Sequence, residues 1–360
     1  MYRALVGPAL RLTDAERAHH LALVALEASQ RSGRVHWLLR RLLTVSDPRL
    51  AVQVLGLTFA NPIGLAAGFD KDVRVPAAIG SLGFGHVEVG TITPRPQPGK
   101  PRPRIFRLPA DRALINRLGF PNAGLDAATE RLSRLRKPHF VLGLNIGANA
   151  ESVAAGSGLD DYTTAFQRLH QYADYLVANI SSPNTEGLRR LQLGQQLESL
   201  LGGLRATAAQ ARTPIPILVK VAPDLSPSEL AEVVAAAQAG GAAGIVATNT
   251  TLARPSSLRS AQAQEGGGLS GRPLRARSTE MIRHIRRLSA GRLPIVGVGG
   301  VFTAADALEK LRAGASLVQL YTGFIYHGPT VARDINRGLL RYLETHGCSS
   351  VEDIIGRDAD

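Results

Sequence analysis

The chain has 360 residues, and its hydrophobic content of 44% supplies enough apolar side chains for a large close-packed core. Lys and Arg exceed Asp and Glu by 13 charges, so an anionic partner is worth considering, but the aromatic content of 5% argues against nucleic-acid binding by base stacking. The single cysteine, Cys348, excludes an internal disulfide and a cysteine-ligated iron–sulfur cluster within this chain.

Membrane-crossing and secretion signals are not visible in the sequence. No run reaches the ~18 apolar residues of a transmembrane helix. The apolar stretch Leu21–Leu26 is too short for a signal peptide and is followed by Glu27. We therefore expect an intracellular protein.

Residues 1–45 are patterned as two short amphipathic helices. Thr13 and Glu16 form a capping-box pattern before the first apolar stretch. After a break at Ser32–Gly33, the run Val35–Leu43 mixes apolar residues with arginines and one tryptophan. Such a pair favours an interfacial membrane anchor, and a helical hairpin packed on the main domain is the alternative.

Beyond Pro62 the chain alternates between strand-like and helical patterns. The strand-like runs are Ile63–Ala67, His86–Gly90, Phe140–Ile146, Tyr175–Ile180, Ile217–Val221, Gly244–Thr248, Ile295–Val298 and Leu317–Leu320. Helical patterns include Asp161–Tyr172 and Ser226–Ala239. The alternation predicts an α/β fold, a (β/α)8 TIM barrel over residues 46–360 with residues 1–45 as an amphipathic helical extension. A doubly wound open sheet is the alternative.

Two connections are longer than a barrel requires. They are Thr93–Asn116, which is rich in proline and basic residues, and Leu252–Gly271, which is rich in Ser, Gln and Gly. Both follow predicted strands, so we expect them to be binding loops or lids on the catalytic face.

The ends of the predicted strands carry polar and glycine-rich residues. Barrel active sites lie at the carboxyl ends of the strands. The segments there are Ala66–Lys71, Gly90–Thr91, Asn145–Gly147, Asn179–Asn184, Lys220, Thr248–Thr250, Gly297–Gly300 and Tyr321–Gly323. With no His–carboxylate cluster among them, we expect no metal site.

This set suits a ligand with carbonyl and imide groups and negative charge. Glycines after the last two strands expose backbone N–H groups where barrels commonly bind phosphate, which favours flavin mononucleotide (FMN). Taken alone, Gly299–Gly300 also fits a tight turn, and Lys71 or Lys220 also fits a surface lysine. The inference depends on all of them occurring at successive strand ends.

Six motifs make the sequence similar to a known family. They are A-A-G-F-D-K (66–71), E-V-G-T-I-T-P-R-P-Q-P-G (88–99), I-N-R-L-G-F (115–120), N-I-S-S-P-N-T (179–185), G-G-L-S-G (267–271) and G-V-G-G (297–300). With these motifs in order, the chain resembles the dihydroorotate dehydrogenases of pyrimidine synthesis, specifically the quinone-dependent class. Phe69 stands where the first motif often has leucine.

The resemblance implies one FMN per chain, dihydroorotate as substrate, orotate as product and a membrane quinone as electron acceptor. The implied FMN contacts are Ala67, Gly68, Phe69, Asp70, Lys71, Thr91, Asn145, Asn179, Lys220, Thr248, Gly271, Gly300, Tyr321 and Thr322. The implied substrate contacts are Lys71, Asn116, Arg117, Leu118, Gly119, Phe120, Asn179, Asn184, Asn249 and Thr250.

The resemblance also implies the catalytic base and the electron acceptor. Ser182 matches the base, and we expect a water chain or a neighbouring hydroxyl such as that of Thr185 to assist it. Soluble relatives that use fumarate or NAD have cysteine as base, and this chain has only the distant Cys348. The implied quinone contacts are His19, Arg107 and Tyr321, with the N-terminal helices as tunnel walls on the bilayer surface. The expected location is the cytoplasmic face of the cell membrane, as a peripheral protein.

Two rival functions remain open at this point. A flavin barrel that modifies tRNA uridines would suit the positive charge, but it is expected to have a catalytic cysteine and a basic RNA-binding domain. A catalytically silent scaffold would have no reason to place Lys71, Asn116, Ser182 and Asn249 at strand ends. We therefore predict no nucleic-acid partner.

Overall fold

Eight parallel strands close into a barrel in a computed structural model of the protein, which describes residues 2, 7–8, 12–136, 138–210 and 214–359. The strands in chain order are β1 Val52–Val54, β2 Leu57–Phe59, β3 Ile63–Leu65, β4 His86–Ile92, β5 Ile105–Leu108, β6 Ala113–Asn116, β7 Val141–Ile146, β8 Tyr175–Asn179, β9 Ile217–Val221, β10 Gly244–Ala247, β11 Gly268–Gly271, β12 Ile295–Val298 and β13 Leu317–Leu320. The barrel order is β3-β4-β7-β8-β9-β10-β12-β13, closed by β13 on β3. This confirms the predicted TIM barrel and its eight strands.

Helices cover the outside of the barrel. In chain order they are α1 Ala15–Gln30, α2 Gly33–Leu43, α3 Pro76–Gly80, α4 Gly124–Ser133, α5 Ala150–Ala154, α6 Gly158–Leu169, α7 Gly194–Ala209, α8 Pro227–Ala239, α9 Arg275–Leu288, α10 Ala304–Arg312, α11 Thr322–His327 and α12 Val331–Thr345. The predicted capping box of α8 is present, since Ser226 accepts from the Glu229 amide and Glu229 from the Ser226 amide. Helix α6 begins before the predicted Asp161, and Asp160 and Asp161 lie in its first turn, where the helix dipole favours negative charge.

The N-terminal helices α1 and α2 are present, but their cap differs from the prediction. Asp14, not Thr13, caps α1, because its side chain accepts hydrogen bonds from the Glu16 and Arg17 amides. The Glu16 carboxylate instead pairs with Arg104 at 2.9 Å, which ties α1 to the loop before β5. A capping box therefore does not form at this helix.

One side of the helical pair packs on the domain and another is exposed. Leu23 of α1 and Leu43 of α2 are buried in the main hydrophobic core. Leu21, Val24, Val35, Trp37, Leu38 and Leu42 are exposed to between 40% and 60%. None of the helices in the described ranges is long and apolar enough to cross a bilayer.

The two long connections contain strands, which the sequence reading missed. Strands β5, β6 and β11 form an antiparallel sheet, with β6 in the centre. Phe106, Ile115 and Leu269 form part of a separate small hydrophobic cluster. Both connections follow barrel strands, as predicted, so this sheet lies at the carboxyl end of the barrel.

Candidate active site

One cavity of about 550 Å³ connects the carboxyl ends of the barrel strands with helix α1. Most residues predicted from the sequence line it. They are His19, Ala67, Gly68, Phe69, Lys71, Thr91, Arg107, Asn116, Leu118, Gly119, Phe120, Asn179, Ser182, Asn184, Lys220, Thr248, Asn249, Thr250, Gly271, Gly300, Tyr321 and Thr322. Asp70, Asn145 and Arg117 do not line the cavity.

The buried polar floor of the cavity is a hydrogen-bonded network from neighbouring strands. Thr91 donates to the side-chain oxygen of Asn145 at 2.6 Å, and the Asn179 amide donates to the Thr91 hydroxyl at 2.9 Å. Asn249 donates to Ser181 at 3.0 Å and to the Asn179 side-chain oxygen at 3.3 Å. These hydrogen bonds fix the orientation of each side-chain amide. Asn145 does not line the cavity itself, but its side-chain oxygen holds Thr91 and Asn179, which do.

Glu88 anchors this network, and the sequence reading missed its role. Its buried carboxylate accepts from the Asn145 amide at 2.7 Å and from the Gln319 amide at 2.8 Å. The first of these bonds turns the Asn145 oxygen toward Thr91 and Asn179. A glutamate in the middle of the strand-like run His86–Gly90 was the available signal, since a carboxylate buried in a barrel strand requires polar partners.

Two buried lysines supply positive charge to the cavity. Burial lowers the pKa of Lys71 to about 8, and its ammonium donates to the Gly68 carbonyl at 2.5 Å. Burial also lowers the pKa of Lys220, an effect that the negative charge of Glu88 opposes. Within the described ranges, the Lys220 ammonium has no hydrogen-bond partner. An anionic ligand would compensate both charges.

Asn116, Ser182 and Asn184 line the cavity beside the small sheet, and Thr185 follows Asn184 in the chain. The Asn184 amide donates to the Asn116 side-chain oxygen at 3.3 Å, and its backbone N–H donates to the Ser182 hydroxyl at 3.2 Å. Ser182 is 4% exposed, and within the described part of the chain the buried Thr185 hydroxyl has no partner. Amides next to a buried hydroxyl match an imide ligand that loses a proton.

The far end of the cavity is a glycine cradle. Gly299 and Gly300 have φ values of +132° and +73°, and a Cβ at Gly300 would lie 2.6 Å from the Arg275 Cα. Only glycine fits there without strain, and backbone that lines a cavity at a strand end suits a phosphate. Ser270, which the sequence reading missed, lines this end and shares a 2.9 Å hydrogen bond with Thr322.

Two of the predicted contacts outside the cavity have structural partners. The buried Asp70 carboxylate accepts from the amides of Arg74 at 2.9 Å and Val75 at 2.7 Å, which shapes the turn after β3. Burial raises the pKa of Asp70. The Arg117 guanidinium pairs with Glu265 at 2.7 Å and lies 4.5 Å from the centre of the Phe106 ring. Their side chains are therefore already occupied.

Aromatic residues separate the polar end of the cavity from helix α1. The rings of His19 and Phe69 pack edge to face at 4.9 Å, and Phe69 packs against Tyr321 at 6.3 Å. Burial lowers the pKa of His19 to about 3, so its ring is neutral near pH 7. Beyond Phe69 the cavity is lined by small apolar residues of α1, including Ala18 and Ala22, so its polarity falls from one end to the other.

The described residues contain no group of side chains suited to bind a metal ion. In residues 2, 7–8, 12–136, 138–210 and 214–359, no three His, Cys, Asp or Glu side chains group in a way that could hold a metal ion. Among the described residues, the cavity wall contains Arg, Lys, amides and hydroxyls but no carboxylate. The ammonium, amide and hydroxyl groups that are present suit an anionic ligand.

Known proteins resemble this chain over nearly its whole length. The family model described as dihydroorotate dehydrogenase matches residues 49–343. A dihydroorotate dehydrogenase (quinone) from Roseiflexus sp. (strain RS-1) is 49% identical over 353 residues, which cover 98% of this chain and 97% of the relative. One from Anaeromyxobacter dehalogenans (strain 2CP-1) is 50% identical over 373 residues, with coverage of 98% and 97%. The crystal structure of DHODH in complex with ferulenol from Eimeria tenella has a TM-score of 0.86 at 41% identity and covers 96% of each chain.

Proposed function

The chain belongs to the quinone-dependent (class 2) dihydroorotate dehydrogenase family, and from that membership we propose how its residues bind FMN and substrate and carry out the reaction. The family's enzymes are oxidoreductases that oxidise dihydroorotate to orotate in pyrimidine biosynthesis, with a quinone as electron acceptor. The observation that carries the proposal is the single cavity that contains Ser182, both lysines, the glycine cradle and the α1 wall.

FMN fits the polar part of the cavity. The phosphate would bind at Gly271, Gly299 and Gly300 beside Ser270 and Thr322, and the flavin ring would lie against Thr91, Asn179 and Thr248. Lys220 has no partner within the described residues, and its charge suits the negative pyrimidine edge of a reduced flavin. When bound, FMN would accept hydride from dihydroorotate and pass electrons to the quinone.

Dihydroorotate would occupy the pocket between the flavin site and the small sheet. The Lys71 ammonium would pair with the substrate carboxylate, and Asn116, Asn184 and Asn249 would match the alternating donors and acceptors of the imide ring. Arg117 would act indirectly by holding β6 against the segment before β11 through its pair with Glu265.

Ser182 would act as the general base. It would take the proton from one substrate carbon as hydride leaves the neighbouring carbon. Because a serine is a weak base in water, the proton needs an exit, and the unpartnered Thr185 hydroxyl supports a relay from Ser182 through water. The backbone N–H of Asn184, which donates to the Ser182 hydroxyl at 3.2 Å, would hold the serine oxygen toward the substrate.

The quinone would enter along α1. His19, Arg107 and Tyr321 line the cavity, and the rings of His19 and Tyr321 both pack against Phe69. Exposed apolar residues of α1 and α2 would meet the bilayer surface. On this proposal residues 1–45 are a membrane and quinone segment, residues 46–360 are the catalytic domain, and the protein is peripheral on the cytoplasmic face of the membrane. Residues 1, 3–6, 9–11, 137, 211–213 and 360 of these two segments lie outside the described ranges.

The FMN assignment is tested by the purified protein itself. We expect a yellow protein with flavin absorbance, and mass spectrometry of the released cofactor should identify FMN at one per chain. A colourless protein that does not take up added FMN, or one that contains FAD, would contradict the assignment. A colourless protein would also revive the silent-scaffold alternative.

Lys71 predicts a pH dependence of substrate binding. Its pKa of about 8 means that the ammonium is present below pH 8 and is lost as the pH rises through that value. We therefore expect the KM for dihydroorotate to rise at pH above about 8, with a smaller effect on kcat. Steady-state kinetics across this range, in buffers of constant ionic strength, would measure it.

Lys71→Arg is the matched control, because a guanidinium stays charged throughout that range. This variant should have a higher KM at pH 7 than the wild type but should lose the rise above pH 8. A wild-type KM that stays constant to pH 9, or an unchanged rise of KM in Lys71→Arg, would mean that a group other than Lys71 binds the substrate carboxylate.

A further inference from the structure

A second concavity lies beside helix α2, apart from the active-site cavity. Its wall includes His36, Trp37, Arg40 and Arg41 of α2, and His139 from the segment before β7. His36 and Arg40 lie four residues apart, so their side chains project from the same side of the helix. We call this concavity the α2 cup.

The α2 cup has positive charge that nothing in its wall neutralises. None of the described residues in its wall is an Asp or Glu. Among the described residues neither Arg40 nor Arg41 forms an ion pair, and the Arg41 guanidinium lies 5.4 Å from the centre of the Trp37 ring. Burial lowers the pKa of His36 and of His139, and the charge of Arg40 lowers both further because it repels a second cation. Both arginines are exposed, so their guanidinium groups are available to an anion that enters the cup.

Polar groups besides the arginines also line the cup. His36 is among them, although its Nε2 atom is itself buried away from solvent. Thr44 and Ser46 add hydroxyls to the same wall. Arginine, imidazole and hydroxyl groups around one concavity match the several acceptor oxygens of a phosphate.

The surroundings of the cup favour a phosphate carried by a lipid. Trp37 at its rim is 60% exposed, and Val35, Leu38 and Leu42 of the same helix are exposed to between 40% and 55%. Exposed tryptophan and leucine next to arginine are typical of helices that lie at the headgroup level of a bilayer. A soluble phosphate ligand would gain nothing from these apolar side chains.

We propose that the α2 cup binds the phosphate of an anionic phospholipid headgroup and thereby docks α2 on the membrane at one defined point. The inference rests on the proposed membrane association and adds to it a lipid class and a site. It predicts that binding to anionic bilayers depends on Arg40 and His139 more than on other basic residues of the same helix.

Vesicle binding tests the proposal with a matched charge control. The full-length FMN-loaded protein would be sedimented with phosphatidylcholine vesicles, with and without phosphatidylglycerol. Arg40→Gln and His139→Gln alter the cup, whereas Arg34→Gln removes the same charge as Arg40→Gln from α2 outside the cup wall. We expect about tenfold weaker binding to phosphatidylglycerol vesicles for Arg40→Gln, a clear loss for His139→Gln, and at most the roughly fivefold effect of one surface charge for Arg34→Gln.

Each other outcome overturns the proposal in a distinguishable way. Equal losses of vesicle binding in Arg40→Gln and Arg34→Gln would mean that the basic surface of α2 attracts anionic bilayers diffusely and that the α2 cup is not a specific lipid site. Unchanged vesicle binding in Arg40→Gln, combined with lost stabilisation by inorganic phosphate in a thermal-shift assay, would mean a site for soluble phosphate. If the wild type binds no vesicles yet reduces a soluble quinone normally, the membrane association itself fails, and the cup proposal fails with it.

Discussion

Replacing Ser182 by alanine should lower turnover of dihydroorotate by about 10²–10⁴-fold, the range typical of a lost general base, while FMN stays bound. The Ser182 hydroxyl is buried in the cavity wall, and among the described residues it accepts a hydrogen bond only from the backbone N–H of Asn184. The flavin-side network of Thr91, Asn145 and Asn179 contains no bond to Ser182, so its loss should leave that network intact. Rapid-mixing measurement of flavin reduction by dihydroorotate would isolate this step from quinone reduction.

The kinetic isotope effect separates a base from a merely structural serine. With dihydroorotate deuterated at the carbon that loses a proton, Ser182→Ala should show a larger isotope effect than the wild type, because proton removal becomes slower. Ser270→Ala is a matched control in the same cavity, at the phosphate end, and should weaken FMN binding without that increase. Near-normal flavin reduction in Ser182→Ala would remove the serine from its proposed role.

Filling the cavity at α1 should block reduction of long-chain quinone while the first half of the reaction continues. Ala22 lines the cavity from α1, and an indole there would occupy the path between the bilayer side and Phe69. We expect Ala22→Trp to lower turnover with long-chain quinone at least about tenfold, because access to the flavin is lost. Orotate formation with a small soluble dye as acceptor should stay near normal.

Ala28→Trp is the control, since Ala28 is exposed on the same helix and does not line the cavity. Deleting residues 1–40 should likewise abolish quinone reduction and recovery with membranes but retain FMN. Deletion also removes the 2.6 Å ion pair between Glu27 and Arg74, so the point variant is the cleaner test. Normal long-chain quinone reduction by both variants would refute the tunnel along α1.

The barrel could be predicted because its signal is local. Strands that are buried on both faces give short apolar runs, and glycines and polar residues mark their ends. Each β/α unit can therefore be recognised from a short stretch of sequence. The same regularity predicts that Lys71, Ser182 and Lys220 lie at one face of the molecule, and all three line the one cavity. Adjacent strands in a closed barrel leave these positions no freedom to diverge.

Features that depend on pairing between distant segments were not predictable in this way. Strand β11 pairs with β6, which lies more than a hundred residues earlier in the chain. The sequence pattern of each segment alone therefore predicts a long loop and not a strand of a shared sheet. Glu88 belongs to a sequence motif, but its role depends on hydrogen bonds from Asn145 and Gln319 in two other strands. The position of Asp70 beside the flavin motif likewise did not reveal that its carboxylate turns toward the backbone of residues 72–75.

Helix capping shows a competition that sequence spacing cannot decide. Thr13 and Glu16 have capping-box spacing, but the Asp14 carboxylate accepts the hydrogen bond from the Glu16 backbone amide. The Glu16 carboxylate instead forms ion pairs with Arg102 and Arg104. At α8 no arginine among the described residues pairs with Glu229, and the predicted box forms.

The electron acceptor tests the central claim most directly. Purified protein would be given dihydroorotate with a short-chain quinone, and in parallel with fumarate and with NAD, while orotate formation is followed. Turnover with the quinone alone is the expected result, and it would agree with the serine base and with the cavity that leads to α1. Turnover with fumarate or NAD but not with quinone would contradict the quinone-dependent class and the proposed role of the N-terminal helices.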